Sequence, residues 1–114
     1  TKIIFMGDLN DYPTNASVQS IMEKLDPKIT STSNRFGGTH CYKGEWNILD
    51  HICISKGWNN GILKSSSEKG SILTLDYLLS TYKGNIVPFR TYGGSKYLGG
   101  YSDHLPVFID LEIH

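Results

Sequence analysis

Ile3-Ile4-Phe5-Met6-Gly7-Asp8-Leu9-Asn10 decides how the rest of the chain is read. Apolar residues with strong strand preference run into a carboxylate and, two positions later, an amide. The run predicts a buried strand over residues 2–6 that ends at Asp8. Two later stretches repeat the arrangement. Leu49-Asp50-His51 leads into Ile52-Cys53-Ile54, and Ser102-Asp103-His104-Leu105-Pro106 leads into Val107-Phe108-Ile109. Polar side chains at neighbouring strand ends can converge on one spot, as a multi-residue active site requires.

Outward from the first stretch, Asp11-Tyr12-Pro13-Thr14 is turn chemistry, and Thr14 or Asn15 can cap a helix. Val18, Ile21, Met22 and Leu25 then recur at helical spacing, and Pro27 ends the helix. Residues 30–38 read as loop. Strands are predicted over 39–42 and 47–55, joined as a hairpin across Lys43-Gly44-Glu45-Trp46. A further apolar run covers 61–65. Residues 71–82 fit helix and strand about equally, and 86–90 predict a brief strand. Four glycines in 93–100 predict a long mobile loop. Alternation of Val107, Ile109, Leu111 and Ile113 predicts a half-buried last strand over 107–113.

At 114 residues there is room for one domain or part of one. An apolar share of 39% and 12 glycines favour a loop-rich α+β unit over a helical bundle. Eleven basic residues balance 11 acidic ones, which removes any electrostatic case for tight non-specific nucleic-acid binding. Cys41 and Cys53 are too few for a disulfide scaffold or a closed zinc site, and buried free thiols are expected. No apolar run approaches the roughly 20 residues of a membrane span.

Hydrolysis of a phosphate ester needs an activated water, relief of charge on the phosphoryl oxygens and help for the leaving oxygen. Asp8 offers a carboxylate for a proton or a bound water, and Asn10 an amide to orient a nucleophile or phosphate oxygen. His104 can donate to a phosphoryl oxygen as imidazolium, a form that a nearby carboxylate favours. Asp103 can bind a hard cation such as Mg²⁺ or Mn²⁺ through oxygen. Each residue also has an ordinary structural reading: Asp8 and Asn10 as turn residues, Asp50-His51 as a solvated pair, Ser102-Asp103 as a turn before a strand. Taken one at a time, those readings win; order and strand context favour the joint site. A calcium loop starting at Asp8 fails, because Pro13 stands where glycine is needed and Gln19 where a bidentate Glu belongs. Trp46, Arg90 and Tyr101 are candidate substrate contacts, for stacking or bidentate phosphate pairing.

Gly7-Asp8-Leu9-Asn10, Leu49-Asp50-His51-Ile52 and Ser102-Asp103-His104-Leu105-Pro106, in that order, resemble the endonuclease/exonuclease/phosphatase family, the DNase I-like metal-dependent phosphohydrolases. The resemblance implies an α+β fold, half of a four-layer α/β sandwich, with one mostly antiparallel sheet and a helical layer. Residues 1–114 would form the C-terminal part of the family domain. The N-terminal half, which carries an early Asn, a metal-binding Glu and a further His, would be absent. It also implies roles: Asp8 as acid/base partner of the attacking water or leaving oxygen, Asn10 as its amide partner, Asp50 paired with His104, and Asp103 on the metal side. His51 is given no role. The implied substrate is a phosphate ester (nucleic acid, phospholipid or sugar phosphate) and the implied cofactor Mg²⁺ or Mn²⁺. An uncovered apolar sheet face would call for the missing half or a second copy of the chain. The alternative from another class is a catalytically silent folding or dimerisation unit.

Overall fold

The computed structural model describes residues 2–56, 63–65 and 69–113. Strand β1 (Ile4–Asp8) is followed by helix α1 (Ala16–Met22) and strand β2 (Leu25–Pro27). Next come β3 (His40–Tyr42), β4 (Glu45–Asn47), β5 (Asp50–Ser55), β6 (Leu63–Ser65) and β7 (Ser71–Ile72). A 3₁₀ turn (Asp76–Leu78) leads to β8 (Leu79–Tyr82) and β9 (Asn85–Pro88). The last four strands are β10 (Tyr92–Gly93), β11 (Lys96–Tyr97), β12 (Val107–Phe108) and β13 (Leu111–Ile113). All strand pairs among the described residues are antiparallel. No helix among them is long and apolar enough to cross a membrane.

β5 lies between β1 and β2, and every residue from His51 to Ser55 is buried. Alternate side chains of a strand leave opposite faces, so burial along the whole run means both faces are covered. Ile52 and Ile54 join Ile29, Ile48, Ile72 and Leu105 in the core. Register follows from the apolar rows: Ile4 pairs with Ile54 and Met6 with Ile52, which leaves Asp8 directly opposite Asp50. Cys41 and Cys53 are free and buried, as expected, and burial pushes both thiols up.

Several expectations need correcting. β1 is not buried: all five of its residues are exposed, Met6 at 66%, because β1 is the outer strand of its sheet. α1 stops at Met22, and Leu25 starts β2 instead of extending the helical stripe. Pairing of Leu25 with Ser55 and Pro27 with Cys53 holds this segment on β5. Pro27 has no N–H, and an outer strand tolerates that. Val18 is fully buried, while Ile21 and Met22 are half-buried.

The predicted strand 47–55 is divided, with Ile48 and Leu49 between β4 and β5. Its hairpin turns at Lys43-Gly44 alone, so Trp46 lies within β4 opposite Cys41, not at the tip. β8 and β9 repeat this local chemistry. Tyr42-Lys43-Gly44 and Tyr82-Lys83-Gly84 both turn with positive φ at Lys and Gly (50° and 82°, 49° and 81°). Such tight turns match the twist of the paired strands. Each lysine also lies over the preceding tyrosine ring, at 5.3 and 5.4 Å. Residues 71–82 resolve into β7, the 3₁₀ turn and β8. The expected loop 93–100 holds a β10–β11 hairpin that turns at Gly94, φ 62°. Of the run 61–65, residues 63–65 form β6, and 61 and 62 lie outside the described residues. The last strand is interrupted: β12 pairs with β7 and β13 with β6. Val107 and Ile109 pack on the core, but Leu111 is exposed.

Thr39 ties these pieces together from a fully buried position. Its hydroxyl accepts the Leu49 N–H at 3.1 Å and the Asp50 N–H at 3.4 Å. Its carbonyl accepts the Leu105 N–H at 2.8 Å, and its own N–H donates to Asn47 at 3.0 Å. Gly38 lets the backbones meet there, since a Cβ at that position would lie 2.6 Å from the Asn47 nitrogen. Replacing Thr39 by Val removes the acceptor for two N–H groups and should cost about 1–3 kcal/mol. Urea unfolding should show a lower midpoint for Thr39→Val and a smaller loss for Thr39→Ser; equal stability of Thr39→Val and wild type would contradict this role.

Candidate active site

Two neighbouring segments carry the polar groups to one place. His104 forms an isolated antiparallel bridge with His40, and buried Leu105 anchors the segment beside Thr39. Ser102 Oγ accepts the His104 N–H at 3.0 Å, which fixes the turn before it. From this position His104 Nδ1 donates to Asp50 Oδ2 at 2.7 Å, a charge-assisted bond at the short end of its class. Nε2 then points away from Asp50. Asp8 Oδ2 lies 3.9 Å from it and Asp103 Oδ1 4.0 Å, too far for hydrogen bonds but close enough for strong electrostatic coupling.

Asp8 and Asp50 face each other across the β1–β5 pair, where like charges repel. His104 compensates. Partial burial disfavours its charged form, but the Asp50 hydrogen bond and the charges of Asp50, Asp103 and Asp8 outweigh this, and its pKa lies above the usual 6.5. His40 goes the other way. Burial and the neighbouring His104 hold it below 6.5, against the pull of Asp103 and Asp50. The two rings lie 4.8 Å apart, tilted by 40°. The two neighbouring rings are thus pushed in opposite directions.

The first stretch serves turn and site together. Asp8 Oδ1 accepts the Asn10 N–H at 2.8 Å, which leaves Oδ2 on the His104 side. Asn10 has φ 51°, a left-handed conformation that asparagine tolerates better than most residues. Asp11 then gathers the Tyr12 N–H, the Asn15 amide and the Ser17 hydroxyl. Buried His51 donates from Nε2 to the Asp11 carbonyl at 3.0 Å, so it holds this loop against β5.

Arg90 and Tyr101 line an open depression with Thr91, Tyr92, Ser102 and Asp103. Tyr101 also meets the Tyr77 ring edge-on at 5.7 Å. Trp46 stands elsewhere: it stacks on Phe36 at 4.6 Å and packs against the core. Two groups bring potential ligand atoms within 4.8 Å of one another: Asp8, Asp50 and His104, and His40, Asp103 and His104. The carboxylates are hard oxygen donors, and half-exposed Asp8 and Asp103 can be reached from solvent.

The sequence pattern of the endonuclease/exonuclease/phosphatase family matches residues 1–113. The chain belongs to this endonuclease/exonuclease/phosphatase family. Its strand-rich architecture with one helix is compatible with the family fold. Family members are hydrolytic nucleases and phosphatases that act on phosphate esters and generally use divalent metals. Comparison with curated proteins and with solved structures gives no match.

Sequence reasoning missed Thr39 and His40. Neither belongs to an apolar period or a motif; the bridge to His104 places His40 at the site, and hydrogen bonds to Leu49, Asp50 and Leu105 place Thr39.

The Asp50–His104 bond makes stability depend on pH with a definite sign. A raised histidine pKa stabilises the folded state fully below the unfolded value near 6.5, and the contribution is lost as pH rises through the folded value. Asp50→Asn should therefore destabilise most at pH 6 and progressively less as pH rises above 6.5. Denaturation of both proteins across that range checks this; a pH-independent difference would contradict it.

Proposed function

We propose that the chain supplies the C-terminal part of a divalent-metal-dependent phosphohydrolase domain acting on phosphodiesters or phosphomonoesters. The observation that carries this reading is the Asp50–His104 pair, with Nε2 turned toward the carboxylates of Asp8 and Asp103. Asp50 fixes the ring and favours its charge, and His104 donates from Nε2 to a phosphoryl oxygen. Asp8 takes a proton from the attacking water or returns one to the leaving oxygen. Asn10 orients the water or a phosphate oxygen from the adjoining turn. Asp103 offers an oxygen to Mg²⁺ or Mn²⁺, which when bound neutralises charge on the phosphoryl group. Mg²⁺ keeps several waters and uses only one or two carboxylates, so the donor set suits it. Arg90 pairs with a substrate phosphate and Tyr101 stacks on a base or sugar at the edge of the open depression. Trp46, stacked on Phe36 and packed against the core, stands outside this set.

A second reading rests on β1. Ile3, just before it, and Ile4, Phe5 and Met6 within it are 46%, 38%, 39% and 66% exposed, an apolar run on both faces of an outer strand. Such edges are templates for pairing, so the chain also fits an assembly unit completed by the N-terminal half of the domain or by a second copy. On this second reading the activity of the chain alone is expected to be weak.

Hydrolysis of bis-p-nitrophenyl phosphate and p-nitrophenyl phosphate with Mg²⁺ or Mn²⁺ tests the first reading. His104→Ala should lower turnover by about 10²–10³-fold, the scale for loss of one positioned donor. Unchanged turnover in the variant would overturn the role of His104. No turnover in either, with a dimer in size-exclusion chromatography with light scattering, would favour the second reading.

A further inference from the structure

We infer that His40, Asp103 and His104 form a binding site for a borderline divalent cation of the Zn²⁺ class, which shares Asp103 with the hard-cation chemistry assigned to the carboxylates. One ligand atom from each of the three residues lies within 4.8 Å of the others. A tetrahedral ion with bonds of about 2.0–2.1 Å brings its ligand atoms to roughly 3.3 Å apart. The remaining approach is small, and half-exposed Asp103 can make it by side-chain rotation. The two imidazoles need little rearrangement. They stand on directly bridged backbone positions with ring centres 4.8 Å apart, and the Leu105 N–H to Thr39 carbonyl bond holds the adjoining residues at 2.8 Å.

The outer shell is already in place. Asp50 engages Nδ1 of His104 at 2.7 Å, so Nε2 is the nitrogen that faces Asp103. A carboxylate bound to one ring nitrogen while the other meets a metal is the usual carboxylate–histidine–zinc arrangement, which fixes the tautomer and strengthens the ligand. Donor chemistry sets the selectivity. Two imidazoles and one carboxylate suit Zn²⁺, whereas Mg²⁺ prefers an octahedron of oxygens. Asp8 Oδ2, 3.9 Å from the same Nε2, is near enough to orient a water in the fourth position.

An ion held there occupies the His104 nitrogen that faces substrate, so it inhibits hydrolysis; this consequence alone rests on the proposed function. Binding itself is read without substrate. The chain has four histidines, and buried His51, committed to the Asp11 carbonyl, is an internal control. In the wild-type chain, Zn²⁺ should shift the ring NMR signals of His40 and His104 together, saturating at one ion per chain, with His51 unmoved. Co²⁺ should give the intense visible bands of a tetrahedral site, and Mg²⁺ held at Asp103 should shift both rings far less than Zn²⁺. His40→Ala, with folding checked by circular dichroism, should weaken Co²⁺ binding at least tenfold. Ring shifts confined to His114, equal shifts with Mg²⁺, or no saturable shift would overturn the site in the wild-type protein. Unchanged Co²⁺ affinity in folded His40→Ala would overturn it as well. Loss of Zn²⁺ inhibition with binding intact would instead refute the proposed role of His104 in hydrolysis.

Discussion

Asp8 lies opposite Asp50 because Ile4 lies opposite Ile54, and a slip of one residue would turn Asp8 to the other face of the sheet. The site depends on this register. The fully covered strand β5 supplies the fixed side of the pair, since its buried Ile52 and Ile54 cannot shift without leaving the core. The cost of the register is two carboxylates face to face, and His104 offsets it by placing a ring of raised pKa beside them. Thr39 makes that placement possible. One buried residue binds the start of β5 through its hydroxyl and the His104–Leu105 segment through its carbonyl.

The same interactions join stability to chemistry. Asp8 ends a strand, closes a turn onto Asn10 and faces Nε2 of His104, so its structural and functional readings are two sides of one geometry. His51, beside Asp50, faces away from the site and braces the loop that carries Asn10. The apolar exposure along β1 runs counter to this economy. It leaves the strand that delivers Asp8 with one paired edge among the described residues, which is the physical basis for an assembly partner.

Legibility in the sequence followed the range of the interactions. Local chemistry was readable: a hairpin after Tyr42, though with a longer turn than the Lys43-Gly44 one observed, the start of the helix near Asn15, and the free buried cysteines. Where a distant strand competes, local reading failed. Leu25 continues the helical spacing, but pairing with Ser55 claims it for β2. The run at 3–6 has the composition of a buried strand, yet burial depends on a second neighbour that composition does not report. Asp50 and His104 stand 54 residues apart, and no periodicity links them; their pairing was implied only by the family resemblance. His40 carried no sequence signal, because its importance arises entirely from the backbone bridge to His104.

The most direct measurement is ¹⁵N NMR of the imidazole ring of His104 across pH, in the wild-type chain and in Asp50→Asn. The predicted result is a proton held on Nδ1, a wild-type ring pKa above 6.5, and a fall in that pKa when the carboxylate is removed. A ring that titrates at or below 6.5 and is unmoved by Asp50→Asn would mean that the chain does not build the Asp50–His104 pair on which the site depends.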